Sequence, residues 1–402
     1  MSFPSCRHRR KSIHAVPSGE LNWLAAEPFR VFFVLGVLWS MAGVLLWPLW
    51  HLGKLTLYPG LVHARLMIEC FGGAFVVGFL GTAGPRMVSA PKLRVGEFLA
   101  MAVALMACGS AHLGLAMRLG DSCFLLLLGL LSASLILRWL RFRSESPPPQ
   151  MVLALMGLLC GMAGTLMWLR PDWMGSPAAF RLAGLLVHEG FLLLPVLGVG
   201  SFLFPRVLGG VFGEPTGTRS RRWSLVRAVA VAAAVLGSFA WEALGHAGSA
   251  SLLRALAAGA YLLSEVSWRL QPGAEPRGTL ARGLFWALGC GWTGIAMAGS
   301  FPAWRIGLSH LLYIGGFGLL MLIIASRVVC GHSGQLSVLS HRSRLPQVLV
   351  FASLLAATTR ASADIWPKIA KSHHIYAAIL WTLVAILWLS WHRRRFLHKD
   401  PE

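Results

Sequence analysis

Charge is scarce in this sequence: only 13% of its 402 residues are Asp, Glu, Lys or Arg, roughly half the share of an ordinary soluble domain. No polar stretch is long enough to form a separate soluble domain, so any chemistry must lie among helices. The seven cysteines are scattered, odd in number and form no CxxC pair, which excludes a disulfide framework and a zinc ribbon; most read as small packing residues. The first apolar run, Val31 to Trp50, lacks a small-x-small cleavage site and is too long for the core of a signal peptide, so a retained helix is expected. Acidic residues are few, 15 against 36 basic ones. On a soluble chain the resulting net charge of +21 would point to nucleic acid. Here the basic residues gather in the loops of one side, as cytoplasmic loops do, and no nucleic-acid partner is expected.

Apolar length is what the chain does have. Hydrophobic residues make up 56% of it, and the mean hydropathy is +0.65. Roughly twelve runs approach the ~20 residues that cross a bilayer. The fold expected is therefore all-α, a polytopic membrane bundle of about twelve transmembrane helices over residues 30–391. A basic lead (1–29), flexible up to Glu27, and a basic tail (392–402) flank it, both cytoplasmic. With N-in and C-in topology the inner side holds about 26 of the 36 basic residues, including Arg7, Arg9, Arg10, Lys11, Arg219, Arg221, Arg222 and Arg393–Arg395. The lipid bilayer is the partner that composition implies.

Three histidines recur on every fourth run: His63 on the second, His188 on the sixth, His310 on the tenth. Intervals of about 125 and 122 residues divide the chain into three blocks of four helices. Each of these runs closes on an arginine, in Pro85-Arg86, Pro205-Arg206 and Ser326-Arg327. Imidazole is costly in a bilayer and marks a ligand, a proton path or a bonded helix contact; haem iron and copper are what such histidines most often bind. At 1.5 Å per residue His63 and His310 lie about 3–6 Å inside their helix starts and His188 about 13 Å. The matched pair is expected to hold one haem axially, with His188 serving a second ligand or proton, and all three are expected to converge.

Other residues read two ways. Met67 and Cys70 share a face with His63, as soft ligands or as packing. Arg65 and Glu69, four apart, are expected to pair with each other. Arg181, Arg305 and Arg360 lie at outer helix ends, where arginine binds propionates or faces solvent. His373 and His374 open the last helix, as metal ligands or as interfacial residues. His51, His112 and His246 rank lower. His8, His14, His332, His341, His392 and His398 are expected to be solvated on the inner surface. The glycines at 78, 81, 315, 316 and 318 permit close helix approach or room for a flat macrocycle.

Several stretches resemble the NnrS family of haem- and copper-containing inner-membrane proteins. Glu27-Pro28-Phe29-Arg30 resembles its opening segment. His63-Ala64 with Gly78-Phe79-Leu80-Gly81-Thr82-Ala83 resembles its His-Ala-His-Glu-Met…Gly-Phe-Leu-Leu-Thr-Ala block. His310…Gly315…Gly318, Ser326-Arg327 and Gly331-His332-Ser333-Gly334 resemble its closing signature. The resemblance implies a twelve-helix protein of the cell inner membrane, linked to nitric-oxide stress and denitrification, with haem (taken as b type), and with nitric oxide or an electron-transfer protein as partner. Arg65 and Leu66 stand where the family has its second histidine and glutamate, so copper is expected to be absent or substoichiometric. The histidines on the second, sixth and tenth helices also resemble those of haem-copper oxidases, yet the seventh run has only His246 at its end and no paired histidines. Two other functions compete: a transporter for a small anion or metal complex using Arg65, Glu69, Arg254 and Glu265, and a cofactor-free scaffold for assembling a reductase.

Overall fold

A computed structural model describes residues 19–208, 218–266, 278–340 and 344–399. Regular structure in them is entirely helical. A short helix, α1 (Glu20–Ala26), precedes twelve long ones: α2 (Phe29–His51), α3 (Gly60–Arg86), α4 (Val95–Leu113), α5 (Met117–Phe142), α6 (Met151–Leu169), α7 (Pro177–Val207), α8 (Thr218–Ala243), α9 (Ala247–Val266), α10 (Gly278–Ser300), α11 (Pro302–His332), α12 (Arg344–Ile365) and α13 (Pro367–His392). Ten are both long and apolar enough to cross a membrane; α9 and α10 have the length, and glycine and small polar residues in both, with buried Arg254 and Glu265 in α9, lower their hydropathy. The expected count of about twelve thus holds as helices.

The threefold block pattern is the packing plan. The first helix of each block packs on its second (α2 on α3, α6 on α7, α10 on α11). The third packs on the fourth, and the fourth on the first of the next block, with α13 closing against α2. The second helices are innermost: 67–83% of their apolar windows are buried, against 33–56% in the other apolar spans. Lipid is as apolar as leucine, so small residues and interhelical hydrogen bonds must hold such a bundle. Gly291 of α10 and Gly316 of α11 touch through their backbones, a Cβ on Gly316 falling 2.8 Å from the Gly291 Cα. A Cβ on Gly78 would fall 3.2 Å from the Phe29 Cα. Close approach, not space for a macrocycle, is what these glycines provide. At the ring closure the Trp381 indole donates to Ser40 Oγ (3.1 Å) and that of Trp388 to Ser326 Oγ (2.9 Å), bonds worth about 0.6–2 kcal/mol each inside a membrane.

Each inner helix contains a π-helical segment: Leu66–Gly72, Leu186–Gly190 and Leu311–Gly318. Such insertions recur at functional sites, and nothing in the composition of these stretches announced them.

The described part of each flank packs on the bundle, and in the lead this replaces the flexibility expected up to Glu27. The lead forms α1 against α4, with Ala25, Ala26 and Glu27 buried, and Phe396 of the tail is buried too. His392, expected in solvent, is fully buried with its Nε2 at 3.0 Å from Ser326 Oγ. Arg7, His8, Arg9, Arg10, Lys11, His14, Arg219 and His341 lie outside the side chains described.

Candidate functional site

The inner helices have two ends, one carrying the histidines and one carrying the closing arginines. Counted back from those arginines, the three histidines are not equivalent: His63 precedes its arginine by twenty-three residues, His188 by eighteen and His310 by seventeen. The position seventeen residues back is held by Glu69, Glu189 and His310. All three fall at a π segment or directly before one. The repeat therefore places a carboxylate, a carboxylate and an imidazole at one level, and each has become the centre of a different cluster.

In the third block the cluster is aromatic and imidazole-rich. His63 and His310 face each other with ring centroids 6.4 Å apart and planes 16° from parallel. His63 Nδ1 is 3.0 Å from Gly43 O and His310 Nδ1 is 2.6 Å from Ile306 O. A carbonyl only accepts, so both Nδ1 atoms carry the proton and each neutral ring keeps its lone pair on Nε2. Metal-binding histidines are commonly fixed in this way by a second partner. Two imidazoles sharing one metal at bonds of ~2 Å hold their donor atoms roughly 3.3–4 Å apart, the longer span when they lie on opposite sides of it, and the centroid separation accommodates this. Trp47 packs against His63 and His374 (5.9 and 4.8 Å), and His51 Nε2 lies 3.1 Å from His374 Nδ1. Arg360, paired with Asp364 at 2.7 Å, is the arginine within electrostatic range of both facing histidines.

Four expected site residues make their contacts elsewhere. His188 stacks near Trp168 (5.5 Å), whose ring Arg65 caps at 3.5 Å. It lies beside the first-block cluster, and the facing pair is His63 with His310. His373 is turned back onto its own helix, with Nδ1 3.1 Å from Ile369 O, whereas His374 joins the cluster. Arg181 and Arg305 do not face the histidine pair: Arg305 is in tight contact with the Glu242 carboxylate, and Arg181 donates to Glu242 O at 3.4 Å. Glu242 on α8 takes both, Arg305 through its carboxylate and Arg181 through its backbone carbonyl, and no local spacing could have revealed it.

That second-block cluster is an ion network. Arg254 donates to Glu242 (2.6 Å) and lies 3.2 Å from Glu189. Arg254, Glu189 and Glu242 are all buried. Glu265, named with Arg254 as a transport path, is buried in another network with Arg227 (2.6 Å) and Gln150 (3.0 Å). Among the described residues the four path residues fall into three separate, mutually neutralising groups.

The first-block cluster holds the residue the sequence ranked too low. His112, wholly buried near the end of α4, meets Glu69 with Nε2 2.9 Å from Oε2. Cys108, one turn earlier on the same face, is 3.7 Å from that oxygen and 3.7 Å from Cys70. Arg65 pairs with Glu69 (3.2 Å), as expected, and also with Asp121 (2.8 Å). Glu69, Cys108 and His112 bring three donor atoms within 4.8 Å of one another.

At the other end the chain's flanks are tied down. Glu27 accepts from Arg30 (2.6 Å), Arg86 (3.1 Å) and His332 Nδ1 (2.9 Å). Arg30 also donates to the carbonyls of Arg395 and Phe396, and the Phe29 N–H donates to Thr82 Oγ1 at 3.3 Å. His332 is thus a network member, not a solvated loop residue. Burial pushes the Glu27 carboxyl up, and the hydrogen bond from His332 together with Arg30 more than reverses this, to about 2 from a usual 4.5. The folded carboxyl is the stronger acid, so its contribution is full above pH 4.5 and is lost as pH falls toward 2. Glu27→Gln should destabilise the protein by about 2 kcal/mol at pH 7. Melting in detergent should show the gap from wild type narrowing at pH 3; an equal gap at both pH values would count against the network.

The three motif stretches of the sequence meet at this end: Glu27–Arg30, Gly78–Ala83 through Thr82, and Gly331–Gly334 through His332. Residues 23–399 match the family model described as NnrS protein. The chain belongs to the NnrS family. The match takes in all twelve long helices. No curated protein matches the chain. Within the NnrS frame, the motifs that carry the likeness build the arginine end and the His63–His310 pair, whereas the Glu69–Cys108–His112 group draws on α4, outside them.

Proposed function

We propose that this NnrS-family protein binds haem between His63 and His310 and serves nitric-oxide tolerance at the cytoplasmic membrane. The observation that carries the reading is the facing pair of imidazoles, each with Nδ1 committed to a carbonyl and Nε2 left as donor. His63 and His310 would hold the iron, and Arg360, which acts electrostatically on both rings, would offset acidic groups of the ligand. Trp47 packs edge-on to His63, and Tyr313 to His310. Haem supplies one-electron chemistry and a binding position for small diatomic gases. Two adjoining apolar cavities, about 50 and 80 Å³, lie against the inner helices and share Val196 and Leu320. An uncharged diatomic such as nitric oxide partitions into space of this kind, and ions do not. The Lys/Arg bias supports a histidine end facing outward.

An absorption spectrum of the full chain, purified from cells supplied with haem, tests the reading. A Soret band with about one haem per chain is expected for axial histidine ligation. A colourless protein would remove the proposal and leave the transporter or scaffold.

A further inference from the structure

We infer that Glu69, Cys108 and His112, with Cys70 beside them, form a site for a thiophilic d10 cation, Cu(I) or Zn(II), separate from the histidine pair. The three donors come from two helices and converge within 4.8 Å, all buried. Glu69 divides its carboxylate: Oε1 faces Arg65 at 3.2 Å, and Oε2 faces His112 at 2.9 Å and Cys108 at 3.7 Å. Arg65 is held in turn by Asp121, so the ligating oxygen is oriented from behind, as metal-binding carboxylates usually are. The Cys70–Cys108 sulfur separation, 3.7 Å, is close to the ~3.8 Å edge of a tetrahedron with 2.3 Å metal–sulfur bonds. Sulfur with imidazole selects soft and borderline cations over magnesium or calcium.

Packing alone does not account for the arrangement. His112 Nδ1 is buried without a partner, although a ring placed merely to fill space would be replaced more cheaply by an apolar one. Gly120 lies so close over the His112 ring that a Cβ there would overlap it, so the backbone of α5 makes room for imidazole. Charge also balances. Arg65 offsets one of the two carboxylates, Glu69 and Asp121. A monovalent cation replaces the Cys108 thiol proton, and the proton between His112 and Glu69 stays to offset the other. A divalent cation replaces both protons, which leave to solvent.

The test uses the full chain purified in detergent. Metal content and competition against chromophoric chelators are measured separately with Cu(I) and with Zn(II), and X-ray absorption reports the ligand atoms. About one equivalent of one of the two, with at least one sulfur scatterer, is expected. Cys108→Ser should lower the affinity by more than the ~10–100-fold of an outer-shell change, Cys70→Ser by less, and Cys290→Ser not at all. If Cys108→Ser fails to fold, the wild-type spectrum still decides. Metal bound through nitrogen and oxygen alone, or a wild-type chain that retains no more of either ion than Cys108→Ser, overturns the site. The haem reading fails separately: Cys108→Ser should keep its Soret band, and loss of haem in His63→Ala should leave the metal in place.

Discussion

Replacing His63 or His310 with alanine is expected to abolish the Soret band or shift it strongly. Each ring is a neutral imidazole whose proton lies on Nδ1, fixed by Gly43 O or Ile306 O. Truncation removes an Nε2 lone pair that no neighbour in the described cluster is set to replace: His374 is engaged with His51. Even loss of an outer-shell partner costs a metal site ~10–100-fold in affinity, so loss of the ligand itself should exceed that. His373→Ala and His332→Ala are the controls, because the first ring bonds its own helix and the second lies at the arginine end. A band unchanged in both His63→Ala and His310→Ala would sink the axial assignment, whatever the haem content.

The largest loss of stability is expected from Arg254→Met. Its guanidinium is 2% exposed and sits between Glu242 (2.6 Å) and Glu189 (3.2 Å). Methionine fills much of the volume and supplies no charge, leaving two buried carboxylates to share Arg305. Breaking a buried ion pair on one side costs about 3–5 kcal/mol, because the remaining charge is uncompensated. The variant should accumulate poorly in membranes and melt far below wild type in detergent. Adding Glu189→Gln should recover part of the loss, since it removes one of the stranded charges. An Arg254→Met protein that melts with wild type would show that the network carries little stability.

Helix length and the three-block plan were legible in the sequence, the first because a bilayer imposes it and the second because the chain repeats. Span length follows from membrane thickness, and the recurring histidines and arginines marked the second helix of each block. Counting from the histidines gave a false register, however. His63 is near the start of α3 and His310 near the start of α11, but the level that repeats is that of Glu69, Glu189 and His310. His112 was ranked low as a helix-end residue, although Cys108 four positions earlier put two soft donors on one face of one helix. That i, i+4 spacing was the available signal. The contact partner of Arg181 and Arg305 was hidden for a different reason. Their partner, Glu242, is about 60 residues from each and on another helix, and contacts of that kind leave no trace in local spacing. The network at Glu27 was hidden likewise, since it joins residues 27, 86 and 332.

The π segments set how the two ends of each inner helix are aimed. A π turn is in effect one residue spliced into an α-helix, so the portion before it is swung by about 100° about the axis relative to an uninterrupted helix. In α3 the splice falls between His63 and Arg86, and in α11 between His310 and Arg327. The imidazoles can therefore turn toward each other while the arginine ends keep an independent azimuth toward Glu27 and its neighbours. Excising one residue from Leu66–Gly72 would restore the α-helical pitch. It would also dial His63 away from His310 without altering a single side chain at either end.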